Sequence, residues 1–286
     1  MPVIAVINRK GGSGKSTLAT HLAAWCATRG LPVMLGDVDK QQSTQTWLKL
    51  REARRLPQAA PIVGWTIDPR NVMRPPAGIT RVILDTPGGL RGSELARVVM
   101  YADAILMPVC NSVFDRTSAG ECHAELMKLP RVATGRCKVA AIGMRIDGRT
   151  KAGELLQSWA DRLELPFVGV LREAQAYVRC IEQGLTLFDM PAAQVEADMA
   201  QWKPILEWVD PLLNPVAAAS LPAAVVRPAF KAPAQAPRAS GIENVQALEE
   251  LMARRQTQTA VPLGREGGRR SSGLLDWLPL PRLFGR

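Results

Sequence analysis

Between a short apolar run, Val3 to Ile7, and a helical pattern from Ser16 to Arg29 lies the segment Asn8-Arg9-Lys10-Gly11-Gly12-Ser13-Gly14-Lys15-Ser16-Thr17. No other feature limits the fold so strongly. Glycines that turn the chain at the end of a buried strand free backbone N–H groups to wrap phosphate oxygens, and the start of the next helix adds its positive end. Lys15 then reaches toward the β- and γ-phosphates, and the Ser16 hydroxyl is placed to ligate Mg²⁺. A glycine-rich turn elsewhere would carry little weight. At a strand-to-helix junction, followed by Gly-Lys-Ser, it predicts a phosphate cradle on an α/β sheet.

The rest of the first 210 residues fits such a sheet. Apolar runs at Pro32 to Gly36, Arg81 to Leu84, Ala104 to Val109, Val139 to Ile146 and Phe167 to Val170 are continuous rather than alternating. Parallel strands covered on both faces require that pattern. Helical patterns fall near Gln42 to Arg55, Ser93 to Tyr101, Ser118 to Leu129, Lys151 to Leu163, Ala174 to Gln183 and Gln194 to Val209. The predicted fold is a doubly wound α/β domain with a mainly parallel sheet, of P-loop NTPase type, over residues 1–210.

From Pro211 onward nine of 76 residues are proline, and the chain becomes a flexible Pro/Ala-rich tail over 211–286. A short helix is expected near 242–255. The closing segment 273–286 gathers Trp277, Leu278, Leu283 and Phe284 into a partner motif, in which Pro279 and Pro281 oppose an amphipathic helix. An extended docking peptide is expected there, for a protein partner or for the domain's own surface; liposome binding would favour a membrane instead.

Charge and cysteine usage narrow the setting. The chain carries 36 Lys or Arg against 26 Asp or Glu, a net +10, which suits an anionic partner such as DNA. Cys26, Cys110, Cys122, Cys137 and Cys180 are scattered, odd in number and without a CxxC spacing, so neither a disulfide framework nor a zinc site is indicated. No signal peptide opens the chain and no run approaches the ~20 apolar residues of a membrane span. A cytoplasmic protein without an integral membrane segment is expected. His21 and His123 lack partners at ligand spacing and read as structural.

The phosphate loop departs from GxxxxGK[ST] in having Arg9 and then a second lysine, Lys10. Lys10-Gly11-Gly12-Ser13-Gly14-Lys15-Ser16 matches KGGxGK[ST] in full and resembles the ParA/MinD family of deviant Walker A ATPases. The resemblance extends over about residues 2–209. It takes in Asp37-Val38-Asp39 after the second strand, Arg81-Val82-Ile83-Leu84-Asp85-Thr86-Pro87 as a Walker B strand, Ala102 to Val109, and Gln183 to Phe188. Lys40 stands where the family usually has proline, and Met144-Arg145 where many members have Asn-Arg.

The resemblance implies ATP and Mg²⁺ as ligands, with Gly11, Gly12, Ser13, Gly14, Lys15, Ser16, Thr17 and Arg145 binding the nucleotide and Ser16, Asp39 and Asp85 serving the metal. It implies catalytic roles for Lys10, Lys15 and Asp39: Lys10 crosses to a partner's nucleotide in an ATP-sandwich homodimer, and Asp39 positions the attacking water. Arg172, Arg179 and Lys203 fall in the later half of the domain, where ParA-type dimers build a non-specific DNA-binding face. The expected function is a nucleoid-associated ParA-like ATPase that positions or segregates a cargo through hydrolysis stimulated by a ParB-like or cargo-adaptor protein. The alternative is a MinD-like regulator acting at the membrane or on a secretion, flagellar or polysaccharide-synthesis machine. An iron–sulfur reductase is disfavoured because no cysteine closely follows Asp85. A metabolic relative, such as an ATP-dependent amidase, would need a second catalytic constellation, which the chain does not show.

Overall fold

A computed structural model describes residues 1–39, 42–54, 56, 59–66 and 75–214. The expected tail helix near 242–255 and the motif 273–286, with Trp277, Leu278, Leu283 and Phe284, lie outside the described residues.

Seven strands form one parallel sheet: β1 Val3–Val6, β2 Val33–Asp37, β3 Ile62–Thr66, β4 Arg81–Asp85, β5 Ala104–Val109, β6 Lys138–Ile146 and β7 Phe167–Arg172. Their spatial order is β3-β2-β4-β1-β5-β6-β7, with every neighbouring pair parallel. Eight helices complete the described order: α1 Lys15–Thr28, α2 Ser43–Arg54, α3 Gly92–Tyr101, α4 Val113–Leu126, α5 Pro130–Ala133, α6 Ala152–Asp161, α7 Gln175–Glu182 and α8 Ala192–Leu213, with a 3₁₀ turn at Leu187–Asp189. The doubly wound expectation holds.

The sheet is buried on both faces, and strand alternation divides its side chains between two cores. Ile4 and Val6 join Leu18, Leu22, Trp202 and Ile205 beneath α1 and α8. Val3, Ala5 and Ile7 join Leu95, Val98, Leu156 and Trp159 beneath α3 and α6. Helix α1 is enclosed nearly all round, from Leu18 to Ala27, so its sequence carries almost no amphipathic stripe. Its enclosure places the loop that precedes it on a rigid support.

Besides the short α5, which the sequence reading lacks, three elements differ from expectation. Strand β3 was not anticipated, because Ile62, Val63 and Trp65 are only half-buried and Gly64 is exposed at the sheet edge, so the run lacks the continuous apolar signature. Helix α4 begins at Val113, five residues before the expected Ser118, because the Ser112 side chain caps it by accepting from the Asp115 N–H at 3.1 Å. Helix α8 runs through Pro204 and Pro211 to Leu213. Packing outweighs the lost backbone donors there: Trp202, Ile205, Val209 and Leu213 are buried, and Gly169 of β7 lets Ile205 approach so closely that an added Cβ would lie 2.9 Å from its Cγ1.

Candidate nucleotide site

The strand register brings the acidic positions to the glycine loop. Val6 and Asp37 are both paired with Asp85, so the C-terminal ends of β1, β2 and β4 lie side by side. In open parallel sheets this edge is where ligands bind. The loop between β1 and α1 turns through Gly12 and Gly14, at φ 73° and 93°, conformations that glycine adopts without strain. At Gly14 the absence of a side chain also permits close packing, since a Cβ would lie 2.7 Å from Met144 Cε on β6.

Neighbouring groups hold the loop in shape. Asn8 donates from Nδ2 to the Pro108 carbonyl at 2.6 Å and accepts from the Lys10 N–H at 3.1 Å. Gly88, after β4, packs so closely that its Cβ would meet Gly11 N at 3.2 Å, and the Gly89 N–H donates to the Arg9 carbonyl at 2.6 Å. The Arg9 side chain turns away from the loop to pair with Glu125 and, at 3.5 Å, with Glu121 of α4. Glu125 in turn accepts from the Gly92 N–H at 2.7 Å, joining the glycine loop to the start of α3.

A cavity of about 670 Å³ opens in front of these groups, bordered by Gly11, Gly12, Lys15, Ser16, Asp39 and Gly89, with Arg145 at its rim. Lys15 is buried, and its Nζ donates to the Lys10 carbonyl at 3.1 Å. Burial lowers its pKa, while the charges of Asp85 and Asp39 act in the opposite direction. Asp85 is 1% exposed, and neither carboxylate oxygen meets a partner in hydrogen-bonding geometry. Burial pushes this carboxyl up to about 7, partly offset by the nearby Ser16 hydroxyl and the Lys15 ammonium.

An orphaned buried carboxylate beside a serine hydroxyl is the donor set that a hard divalent cation satisfies, and Mg²⁺ fits it. Among the described residues no three His, Cys, Asp or Glu side chains gather into a metal site. Ser16 and Asp85 therefore suit a cation whose remaining ligands are water and phosphate.

Asp37 and Asp39 have separate positions. Asp37 is fully buried and organises the turn after β2: it accepts from the Asp39 N–H at 2.9 Å and from the Thr44 hydroxyl and N–H at 2.6 and 3.2 Å. It thereby starts α2 and orients Asp39 toward the cavity wall. The resemblance to the ParA/MinD family pointed to Asp39, and the supporting role of Asp37 follows only from these hydrogen bonds.

Arg145 occupies an irregularity where the β6–β7 register shifts between Met144 and Ile146, with φ at 54°. A non-glycine residue held there costs on the order of 1 kcal/mol. It stands between the phosphate cavity and a second cavity of about 390 Å³ lined by Gly14, Thr17, Met144, Tyr177, Val178 and Ile181. The two cavities share Gly14, Thr17 and Arg145, and the second is lined by charged Arg172, Glu173 and Glu182 as well as by apolar side chains.

His21 lies behind this pocket, fully buried and stacked on Trp202 with ring centroids 5.4 Å apart. Its Nδ1 meets the Thr17 carbonyl at 2.8 Å and its Nε2 accepts from the Leu187 N–H at 3.4 Å. Burial holds its pKa down at about 4, so the ring is neutral and packs as a structural group.

Arg172 is bidentate with Asp198, at 2.6 Å from Nε and 3.0 Å from Nη2, whereas Arg179 on α7 and Lys203 on α8 are exposed. The sequence reading missed Asp115, which pairs with Lys10 at 2.7 Å. Its signal was the Ser112-x-x-Asp115 spacing, a helix-start signature. No described helix is long and apolar enough to cross a membrane.

Comparison with known proteins agrees with this geometry. Residues 4–188 match the family model for the CobQ/CobB/MinD/ParA nucleotide-binding domain. The chain is 28% identical over 214 residues to maintenance of carboxysome distribution protein A from Gloeobacter kilaueensis, covering 73% of this chain and 94% of that protein. The protein of the same name from Halothiobacillus neapolitanus is 25% identical over 191 residues, covering 66% and 88%. The fold is similar to that in the MinC:MinD cell division protein complex of Aquifex aeolicus, with TM-score 0.57 at 18% identity over 73% of this chain and 96% of that one. An ATP complex of a Cyanothece McdA variant gives TM-score 0.53 at 15% identity over 75% and 96%. With its phosphate loop, paired strand-end carboxylates and parallel sheet, this chain belongs to the CobQ/CobB/MinD/ParA nucleotide-binding family.

Proposed function

We propose that this chain is a ParA-type positioning ATPase, which pairs with a second copy around bound ATP, binds DNA non-specifically in that form, and is released when a partner stimulates hydrolysis. The observation that carries the reading is the meeting of Lys15, Ser16 and Asp39 at one cavity, with Asp85 buried close to Ser16 and Lys15, and with Lys10 as a second cation whose side chain is 40% exposed. Lys15 and the loop N–H groups would hold the β- and γ-phosphates. Ser16 and Asp85 would hold Mg²⁺, which neutralises phosphate charge when bound. Asp39 would orient water for in-line attack, and Lys10 would stabilise charge on the nucleotide of the facing copy.

Support for a positioning role comes from relatives that share most of their length with this chain. Two are named for maintenance of carboxysome distribution, and a third is the ParA protein of Rhizobium radiobacter, 24% identical over 201 residues. The net charge of +10 and the exposed Arg179 and Lys203 support DNA as the surface on which the dimer is held. The stimulating partner would be a ParB-like or cargo-adaptor protein, and the site of action the nucleoid in the cytoplasm. Helix α8 carries the domain past the expected boundary at 210, and the tail beyond residue 214, with its closing motif, is proposed as the segment that engages cargo.

The test is a DNA-binding titration of the purified full chain. Binding that requires ATP, ignores sequence and weakens steeply as salt rises supports the reading. Nucleotide-independent binding, or none at any salt, would refute its DNA step.

A further inference from the structure

In the single chain both lysines of the glycine loop are held by the protein's own groups. Lys15 rests on the Lys10 carbonyl, and the Lys10 ammonium lies 2.7 Å from Asp115 Oδ1 at the first turn of α4. An ammonium held on Asp115 is not at the same time on the phosphates of a nucleotide across an interface. We propose that Asp115 is a positioning residue that keeps Lys10 on its own chain, so that closure with a second copy exchanges this ion pair for the phosphates the second copy holds. The proposal rests on the dimer reading above and deepens it by naming what closure must displace.

Asp115 is built to hold Lys10 and to release it. Its side chain is 11% exposed and is fixed from both directions by Ser112: the Ser112 hydroxyl donates to Asp115 Oδ2, and the Asp115 N–H donates back to Ser112 Oγ at 3.1 Å. Burial raises the carboxyl pKa, but the hydrogen bonds from Lys10 and Ser112 prevail and hold it below the usual range, so the anion persists. When Lys10 departs, the Ser112 hydroxyl and the positive end of the 14-residue helix α4 remain to stabilise the carboxylate. Loss of the pair therefore does not strand a buried charge.

The pair also lies where a second copy can reach it. The Lys10 side chain is 40% exposed, and Val113 and Phe114, on the same turn as Asp115, are 58% and 77% exposed. An ion pair whose cation is exposed sets a threshold rather than a block. Measured exposed ion pairs correspond to about two- to fivefold in an equilibrium constant.

The experiment measures dimerisation of the full chain by sedimentation against concentration of a non-hydrolysable ATP analogue. It compares wild type, Lys10→Ala, Asp115→Asn and the double variant. Asp115→Asn is expected to reach half-dimerisation at about two- to fivefold lower analogue per subunit, a gain that shrinks as salt rises. Lys10→Ala should prevent closure in either background. A purely structural role for Asp115 would weaken closure or leave it unchanged, and either result, with a wild type whose dimer depends on Lys10, overturns the proposal while leaving the dimer reading intact. A wild type that never closes, or a Lys10→Ala variant that closes as readily, overturns both. If Asp115→Asn folds poorly, Asp115→Ser keeps a hydrogen-bonding side chain at the helix start and serves the same comparison. Amine labelling of Lys10 without nucleotide gives a second readout, and it should be about two- to fivefold faster in the Asp115 variants.

Discussion

The Lys15 ammonium donates to the carbonyl oxygen of Lys10, five residues earlier, across a distance of 3.1 Å. One side chain thus closes the glycine loop on itself and points a partly desolvated cation into the cavity. Lys15→Ala should weaken ATP binding by at least tenfold, since a charge-assisted hydrogen bond contributes about 1.5–3 kcal/mol. Equilibrium dialysis or fluorescent-nucleotide titration measures this, and unchanged affinity would remove Lys15 from the phosphate site.

Asp39 borders the same cavity, and its charge acts on both Lys15 and Asp85. Asp39→Ala is expected to keep ATP binding while turnover falls by about 10²- to 10⁴-fold, the range for loss of a positioned acid–base group. Phosphate release at saturating ATP decides it. A variant with wild-type turnover would show that water is oriented by another group.

Asp85 makes stability depend on pH in an uncommon direction. With the folded carboxyl pushed up to about 7 from an ordinary 3.8, the folded chain keeps a proton that the unfolded chain gives up as pH rises through this window. This contribution is fully present below pH ~4 and is lost by pH ~7, on the order of a few kcal/mol. Asp85→Asn should therefore gain on wild type in thermal unfolding as pH is raised from 5 to 8. Mg²⁺ with nucleotide should narrow the difference by stabilising the ionised wild-type carboxylate. Parallel melting curves for the two proteins across that range would contradict the assignment.

Arg51 and Asp189 form a bidentate ion pair at 2.8 Å for each contact, with side chains only 7% and 4% exposed. The pair ties α2, which begins just beyond Asp39, to the 3₁₀ turn whose Leu187 N–H meets His21. Arg51→Ala should destabilise the domain by about 3–5 kcal/mol, because Asp189 is left buried without its cation. Urea unfolding measures the loss. A change below about 1 kcal/mol would mean that the Thr186 N–H and hydroxyl, which already donate to Asp189 Oδ2 at 2.8 Å each, suffice to hold the carboxylate.

The sequence alone determined the strand, the glycine loop and the first helix as one phosphate-binding unit, because glycine freedom, a helix start and Gly-Lys-Ser are local requirements. It also determined the apolar runs of β2 and β4, which are legible without partners, while Asp39 and Asp85 were singled out by the resemblance of the segments that follow those runs. The tertiary structure decided what those carboxylates do: Asp37 became the organiser of α2 through bonds to Asp39 and Thr44, and Asp85 became the unsatisfied group beside Ser16 because the β1–β4 register sets it next to the glycine loop. Edge strand β3 was hidden because its residues are only half-buried, and the start of α4 because Val113 and Phe114 are exposed on a turn that Ser112 alone caps. The Lys10–Asp115 pair, 105 positions apart in the chain, has no local signature at all. Only the packing of β5 beside β1 brings those two residues to the same end of the sheet.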